Sequence, residues 1–489
     1  MKRIMTLTLA CALALGSVCT AQAVDLKVGG HWAFTFGWAE NVAKFRGSFT
    51  DNNNRKEGKN NDNFIARQRV RTQIDFIASE NLSAILLFEV GDLNYGGWSK
   101  GKNGVGSGAD IDADGVNVKT KRACLDWVIP NTDVKLRMGI QGIYMPWAWG
   151  NGGNPIFAND VAGITLSSPI MDGLGLTAFW ARPWDAYEYD PDGENKMDET
   201  DVFGLTLPIT AIEGLSITPY AMYASIGADS GFWTYANLRT TGTVSERWTN
   251  TKTHAWYAGV SVNMAMFDPL VWVFDGMYGN LDGSGGLNNN PGSEGWYIVT
   301  ALRYKTDWGT PGLFGWYASG DDEDAIKDGE YGRLPVIGFD WGAGLTSFGF
   351  DGGLPQITQD NVVGFSGVGT WGIGLEVADI SFVDKLSHTI RVAYYTGTND
   401  ADLVKNRPDV FKNRYNNNLY LGDTQYMTDE DYAIEINFDH RYRIYENLTA
   451  FLELGYIHMD LDEGTWKNTN LGHETDGAWK ALLSFQFLF

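Results

Sequence analysis

The chain has 489 residues, a formal net charge of −23 at pH 7 and an aromatic content of 13%. So acidic a chain is a poor match for nucleic acid, and we expect no nucleic-acid partner. Beyond the N-terminal segment no run of eighteen apolar residues occurs, so the sequence predicts no transmembrane helix.

The first 23 residues have the features of a secretory signal peptide. Lys2 and Arg3 precede an apolar run over residues 4–15, and Ala21-Gln22-Ala23 matches a processing site. We therefore expect residues 1–23 to be removed and residues 24–489 to form a single domain. Of the three cysteines only Cys124 lies beyond residue 23, so an intrachain disulfide is excluded in the processed chain.

Apolar and polar residues then alternate with a period of two, as in β-strands. The first strand is predicted over residues 26–38, and the second places Arg67, Arg69 and Arg71 on the face opposite Val70 and Thr72. The third, over residues 82–90, carries Glu89 on its polar face. Further strands are predicted near residues 116–129, 134–141, 162–169, 174–182, 201–209, 215–226, 253–264, 270–279, 295–304, 311–319, 363–379, 387–397, 431–441, 449–460 and 478–489.

This pattern predicts an all-β protein with about 18 strands, or 16 if weak central strands do not form. Short turns, such as residues 130–133 and 445–447, alternate with connections of about 15–40 residues. Long loops on one side and tight turns on the other favour a transmembrane, antiparallel, up-and-down β-barrel.

The last strand gives the clearest pattern. Alternate positions from Trp479 to Phe489 are apolar and include Phe485 and Phe487, whereas Leu482 and Leu488 interrupt the polar face. The segment resembles the C-terminal strand of bacterial outer-membrane proteins, which the barrel-assembly machinery reads through its terminal Phe. The alternative is a core strand of a soluble β-sandwich.

Aromatic residues near strand ends are expected in the two headgroup layers of a membrane. The predicted members are Trp127, Trp180, Trp272, Trp296, Tyr297, Trp308, Trp316 and Tyr317.

A barrel of 16–18 strands is too wide for side chains to fill, so an aqueous channel and passive diffusion are expected. A lipid-facing Arg costs about 2–4 kcal/mol at mid-membrane, so the arginine row (Arg67, Arg69 and Arg71) should face the lumen and attract anions. Arg122 and Arg137 are expected nearby. Alternatively, these cations pair with acids such as Glu89 and only stiffen the wall.

Several segments resemble a known family. The strand over residues 84–92, the C-terminal segment and the signal peptide look like those of Gram-negative trimeric porins. Residues 126–132 and 137–141 resemble the homotrimeric porins of sulfate-reducing bacteria. The resemblance implies a homotrimer in the bacterial outer membrane, in contact with lipid and lipopolysaccharide.

The resemblance also implies that the third outer loop, residues 142–161, folds inward as a constriction. This loop contains Trp147 and Trp149, but Asp160 is its only acid. General porins place several carboxylates on this loop, so the sequence argues against strong cation selectivity.

Other functions stay open at this stage. The barrel could be an oxyanion channel that uses the arginine row or a sugar channel that uses Trp147 and Trp149. A β-rich outer-membrane or secreted hydrolase is the alternative from another class, although no catalytic motif supports it. Asp110, Asp112 and Asp114 open a calcium-loop pattern that lacks its twelfth-position Glu, so at most a weak surface calcium site is expected. No other cofactor is expected.

Overall fold

Side-chain alternation decides which residues of each strand face outward and which face the interior in the computed structural model, except where a β-bulge shifts the register. The structure describes residues 24–40, 63–95, 118–150, 153–185, 199–227, 252–283, 292–337, 346–348, 369–408, 411, 426–469 and 477–489. The predicted signal peptide and the predicted calcium residues Asp110, Asp112 and Asp114 lie outside these ranges.

Eighteen antiparallel strands close into a barrel with almost no helix. The prediction of about 18 strands is thereby confirmed, and the 16-strand alternative is wrong. The strands are β1 Asp25–Glu40, β2 Asn63–Ser79, β3 Leu82–Asn94, β4 Val118–Val128, β5 Lys135–Tyr144, β6 Ala158–Met171, β7 Leu174–Trp184, β8 Thr200–Thr206 with Ile209–Ile212, β9 Leu215–Ile226, β10 Thr253–Phe267, β11 Leu270–Leu281, β12 Gly292–Tyr304, β13 Thr310–Ala318, β14 Thr370–Val383, β15 Leu386–Gly397, β16 Tyr432–Tyr445, β17 Leu448–Asp460 and β18 Ala478–Leu488.

The barrel closes where β18 pairs with β1, in register from Trp479↔Glu40 to Leu488↔His31. The hydroxyl groups of Thr35 and Ser484 are 2.9 Å apart across this junction and are buried. Beyond β18, Phe489 and Gly30 exchange two backbone hydrogen bonds of 3.0 and 3.1 Å. Closure therefore leaves no unpaired edge, which would invite pairing with other chains.

One strand is interrupted. β8 breaks at Leu207 and Pro208, because proline has no N–H to donate to a neighbouring strand. The carbonyl groups stay satisfied, since the Pro208 carbonyl accepts from the amide of Gly175 at 2.9 Å. The single strand predicted near residues 201–209 is thus two segments of one barrel position.

The connections are short on one side and long on the other, as predicted. Those of the short side contain two to six residues. In the turn after β6, Gly173 has a φ of 74°, and a Cβ there would lie 2.5 Å from the Cα of Ala211. Only glycine fits this close approach without strain.

In the described part of the chain, the long side carries three short helices, α1 Ala325–Asp328, α2 Ala401–Asn406 and α3 Glu463–Trp466. A two-residue strand, Glu330–Tyr331, pairs in parallel with the start of β12. Within the described ranges, no helix has the length and apolar character needed to cross a bilayer.

The outer face is apolar and has aromatic residues near both rims. Trp296 and Tyr317 near the long-loop rim and Trp127 and Trp308 near the turn rim are exposed, in agreement with the predicted aromatic layers. Trp180 and Trp272 are half-buried and also lie on outward positions.

The prediction of aromatic layers is wrong for two residues. Tyr297 and Trp316 point inward and are buried. They follow or precede the outward residues Trp296 and Tyr317 directly, and consecutive strand residues face opposite sides.

Two predicted boundaries also differ. The third long loop covers residues 145–157 and not 142–161, because β5 and β6 extend to Tyr144 and Ala158. β14 starts at Thr370, seven residues after the predicted position, and continues through Val383. The hydrophobic core lies inside the barrel, where residues of the third loop, such as Ile156 and Phe157, pack against the inner wall.

Candidate functional site

The third loop folds into the barrel and is fastened to the opposite wall by one carboxylate. Asp275, on the inner face of β11, accepts hydrogen bonds from the amides of Ala148, at 2.9 and 3.0 Å, and of Trp149, at 3.0 Å. Only 1% of Asp275 is exposed. A buried carboxylate is costly unless it is hydrogen-bonded, so these amides are its required partners.

A second set of bonds fixes the far end of the same loop. The side-chain amide of Asn154 donates to the carbonyl of Pro146 at 2.8 Å and to the hydroxyl of Tyr220 at 3.0 Å. The side-chain oxygen of Asn154 accepts from the amide of Ile156 at 2.9 Å. Because Tyr220 belongs to β9, the loop is tied to two separate strands of one wall.

The two tryptophans of the loop occupy different environments. Trp149 is 5% exposed, lies 5.6 Å from the Phe314 ring and has the Arg303 guanidinium 4.8 Å above its face. Trp147 is half-buried beside Tyr297, with ring centroids 6.3 Å apart. The third loop therefore packs against β9–β13, and Trp147 is more exposed than Trp149.

The arginine row lies on the inner face of β2, nine strands from β11 in a ring of eighteen. Arg71 is paired with His31 of β1 and with Glu89 of β3 in the strand register. Its Nε donates to Glu89 at 2.7 Å. Arg67 and Arg69 precede it on the same face, so the row faces the wall that holds the third loop.

Arg137 and Arg122 form ion pairs on the neighbouring strands. Arg137 donates two hydrogen bonds to Asp126, of 2.6 and 2.7 Å. Arg122 lies just beyond the last β4–β5 pair, Ala123↔Ile140, and donates to Asp160 at 2.8 Å. Asp160 also binds Lys121 at 2.9 Å.

The structure thus brings together the predicted cations and acids of this wall. Arg71, Arg122 and Arg137 are each bound to a carboxylate, as in the alternative in which such pairs stiffen the wall. Even so, β2–β5 contain eight Lys or Arg residues and four Asp or Glu residues, so this quarter of the barrel is cationic. The cations are Arg67, Arg69, Arg71, Lys119, Lys121, Arg122, Lys135 and Arg137, and the acids are Asp75, Glu89, Asp92 and Asp126.

The wall of β14–β18 has a different character. Glu376 accepts from Arg303 at 2.7 Å and from Arg391 at 3.2 Å. Arg391 also donates to Asp439 at 2.8 Å. These ionisable groups form a connected network, which is the arrangement that makes buried charges tolerable.

A segment of the seventh long loop, residues 346–348, docks on this wall. The amide of Phe348 donates to Glu435 at 2.8 Å, and Lys480 donates to the carbonyl of Ser347 at 2.7 Å. The hydroxyl of Ser347 donates to Glu453. The Phe348 ring is fully buried, with the ammonium of Lys480 at 5.1 Å from its centroid. The segment covers two wall carboxylates, Glu435 and Glu453.

The outer loops are joined to one another by buried polar contacts. Arg333 and Asp321 are both fully buried and lie 2.7 Å apart. Burial raises the pKa of the Asp321 carboxyl, although Arg333 and the hydroxyl of Tyr426 act in the other direction. Tyr426 donates to Asp321 at 3.2 Å, so this pair connects the seventh and eighth long loops.

Sequence reasoning missed the two docking sites. Asp275 had a visible signal, since it is the only acid in the otherwise apolar strand β11. Ser347 and Phe348 had none, because they lie in a connection of some fifty residues with no distinctive pattern.

No protein-family model and no curated protein matches the chain. Among solved structures, Pseudomonas aeruginosa OprD is similar with 12% identity, a TM-score of 0.50 and coverage of 95% of each chain. A doubly substituted OccD1 (OprD) is similar with 10% identity and a TM-score of 0.51, covering 96% of this chain and 97% of that chain. Both are OprD/Occ outer-membrane porins, and at this identity the likeness extends to the 18-strand fold.

Proposed function

We propose that the chain is an outer-membrane porin that forms a water-filled channel for passive diffusion of small hydrophilic solutes and ions. One observation carries the proposal: an 18-strand closed barrel has an apolar outer face and an inner face on which β2–β5 and β14–β18 carry ionisable groups. Such a barrel is wide enough for water, and its outer face suits lipid. The inward third loop narrows the path.

The polar groups of the lumen suit a channel better than a catalyst. Asp126 and Glu89 are each held by an arginine, and Asp275 holds the third loop. These contacts fix the shape of the path and the charge along it. A hydrolase would need a pair of acids that act on a scissile bond, whereas each of these three is engaged in an ion pair or in hydrogen bonds to the loop.

The setting follows from the same features. We place the chain in the outer membrane of a Gram-negative bacterium, in contact with lipid and lipopolysaccharide. The resemblance of residues 126–132 and 137–141 to the porins of sulfate-reducing bacteria supports a homotrimer. The terminal Phe489, with Phe485 and Phe487 on the same face, supports recognition by the barrel-assembly machinery.

Conductance tests the proposal. Purified protein in detergent, added to a planar lipid bilayer, should produce discrete and ohmic conductance steps. It should also run as a compact species before heating and as an extended one afterwards. A protein that dissolves without detergent, or one that leaves bilayers silent, would overturn the proposal.

A second candidate function is an anion-preferring channel, favoured by the excess of cations on β2–β5. Replacing Arg67, Arg69 and Arg71 by Ala should shift the reversal potential in a salt gradient toward cation preference. Lys327→Ala, at an exposed position of helix α1 outside the barrel wall, should leave it unchanged. If the triple variant and the parent have the same ion selectivity, the arginine row does not determine it.

A further inference from the structure

A cavity of about 620 Å³ lies beneath the third loop, on the short-turn side of the barrel. The loop residues Pro146, Trp147 and Ala148 form one side, and the inner faces of β8–β10 form the other. This volume falls within the range of small-molecule sites, which is about 300–1,000 Å³. The cavity therefore lies between the third loop and the short turns of the barrel.

Its wall carries a regular array of neutral hydrogen-bonding groups. Ser216 lies opposite Asn263, and Thr218 lies opposite Ser261, in the register of β9 and β10. Neighbouring strands are about 4.8 Å apart and alternate residues about 7 Å apart, so the four side chains form a small rectangular grid. Among the described residues that line the cavity, Glu213, in the turn after β8, is the one ionisable residue.

The remaining side offers an aromatic face in a fixed position. The amides of the two residues after Trp147 are bound by Asp275, and the Trp147 ring rests near Tyr297. The hydroxyl of Ser261 donates to the same Asp275 carboxylate. Asp275 therefore connects the third loop to the grid. The indole of Trp147 and the hydroxyl and amide groups of the grid thus line the same cavity.

From this arrangement we infer that the cavity is a binding site for neutral polyhydroxylated solutes, that is, small saccharides in transit. The inference rests on the proposed porin function and names a solute class for it. The apolar face of a sugar ring stacks on Trp147, and its hydroxyl groups exchange hydrogen bonds with the Ser, Thr and Asn grid. A charged solute finds almost no opposite charge here to offset its lost hydration.

The site also acts at a different step from the arginine row. The row sets which charges approach the constriction, whereas the cavity retains neutral solutes that have passed it. The two properties should therefore respond to different substitutions.

Maltose added to single channels in a planar bilayer provides the test. Maltose should cause brief interruptions of the ion current. The fraction of time for which the current is interrupted should saturate with maltose concentration, which gives a dissociation constant. Trp147→Ala should weaken that constant about tenfold through loss of the stacking surface. Thr218→Val should weaken it as well, because Val keeps the shape and removes the hydroxyl. Trp308→Ala, in an exposed turn outside the cavity, is the matched control and should bind maltose like the parent.

The outcomes separate the two proposals. Channels that conduct but respond to maltose only as they respond to a polyethylene glycol of matched size would overturn the saccharide site and leave the porin standing. Equal maltose constants for the parent, Trp147→Ala and Thr218→Val would do the same. Silent bilayers would overturn the porin itself.

Discussion

Asp275 accepts a hydrogen bond from the amide of Trp149 at 3.0 Å, across 126 positions of the sequence. This contact joins a wall strand to the loop that narrows the lumen. It is one of two sets of hydrogen bonds that hold this loop, the other being that of Asn154.

Asp275→Ala should release the third loop. The substitution removes the acceptor of two loop amides, and an unsatisfied buried donor costs about 1–3 kcal/mol. A cost of this size lowers the ratio of docked to undocked loop about 5- to 150-fold. We expect a larger and noisier single-channel conductance. Asp282→Ala, just beyond β11, is the control, and an unchanged conductance for Asp275→Ala would show that the carboxylate does not hold the loop.

Phe348→Ala should expose the carboxylates that the docked segment covers. Truncating a buried Phe costs about 3–5 kcal/mol, enough to free residues 346–348 from the wall. Glu435 and Glu453 would then face the lumen, so the reversal potential should move toward cation preference. The comparison variant is Phe382→Ala, because Phe382 is 78% exposed on the outer side.

A second pair of substitutions checks the cause of that shift. If the uncovered acids produce it, Glu435→Gln and Glu453→Gln in the Phe348→Ala background should reverse it. A shift that persists in the triple variant would assign the effect to pore width instead.

Deleting Phe489 should impair formation of the barrel. The deletion removes the two backbone bonds with Gly30 and a ring that stacks on Phe487 at 6.1 Å. The Phe489 ring is 46% exposed, so it contributes less than the about 1.5–3 kcal/mol of a fully buried ring. The yield of the compact, heat-modifiable form in membranes measures the effect. Leu488→Ala serves as control since Leu488 has the opposite orientation, and equal yields for both would argue against a special role of Phe489.

The helix α3 should weaken in acid. Burial acts to raise the pKa of Asp462, but hydrogen bonds from the amide and hydroxyl of Thr465 outweigh it, so the pKa lies below its ordinary value. The stabilisation is therefore present above the pKa of the unfolded chain and is lost as pH falls through the lower, folded value.

Hydrogen exchange of the Thr465 amide measures this effect. The amide donates to Asp462 at 2.6 Å, and its exchange should quicken below about pH 4. Asp462→Ala should remove the pH dependence and cost about 0.5–2 kcal/mol of local stability, as for other lost N-caps. Glu463→Gln should keep the dependence. If Asp462→Ala exchanges with the parental pH profile, another group controls the helix.

Local periodicity was enough to predict most of the barrel. The alternation over Trp479 to Phe489 places every second side chain on one face, and the structure has the same orientation. The interruption by Leu482 is explained too, because Leu482 is buried on the inner side. The face on which a strand side chain lies follows from residues two positions apart in the sequence, so it could be predicted locally.

Contacts between distant segments could not be read in this way. Phe348 and Glu435 are 87 positions apart, and Lys480 lies 133 positions from Ser347. Nothing in the composition around residue 347 marks it as inward, since the docking depends on acceptors supplied by β16 and β17 and on a donor supplied by β18. The ion pair of Arg122 with Asp160 is a further example. To predict it, one would have to know at which residues the pairing of β4 with β5 ends.

The hydroxyl contact between Thr35 and Ser484 joins residues 449 positions apart. β1 therefore has both of its neighbouring strands only once β18 has paired with it, and the same holds for β18. A chain cut short during synthesis would keep two open edges, whatever the quality of its other hairpins. Sealing of the barrel therefore requires β1 and β18 together, however well the other hairpins have formed.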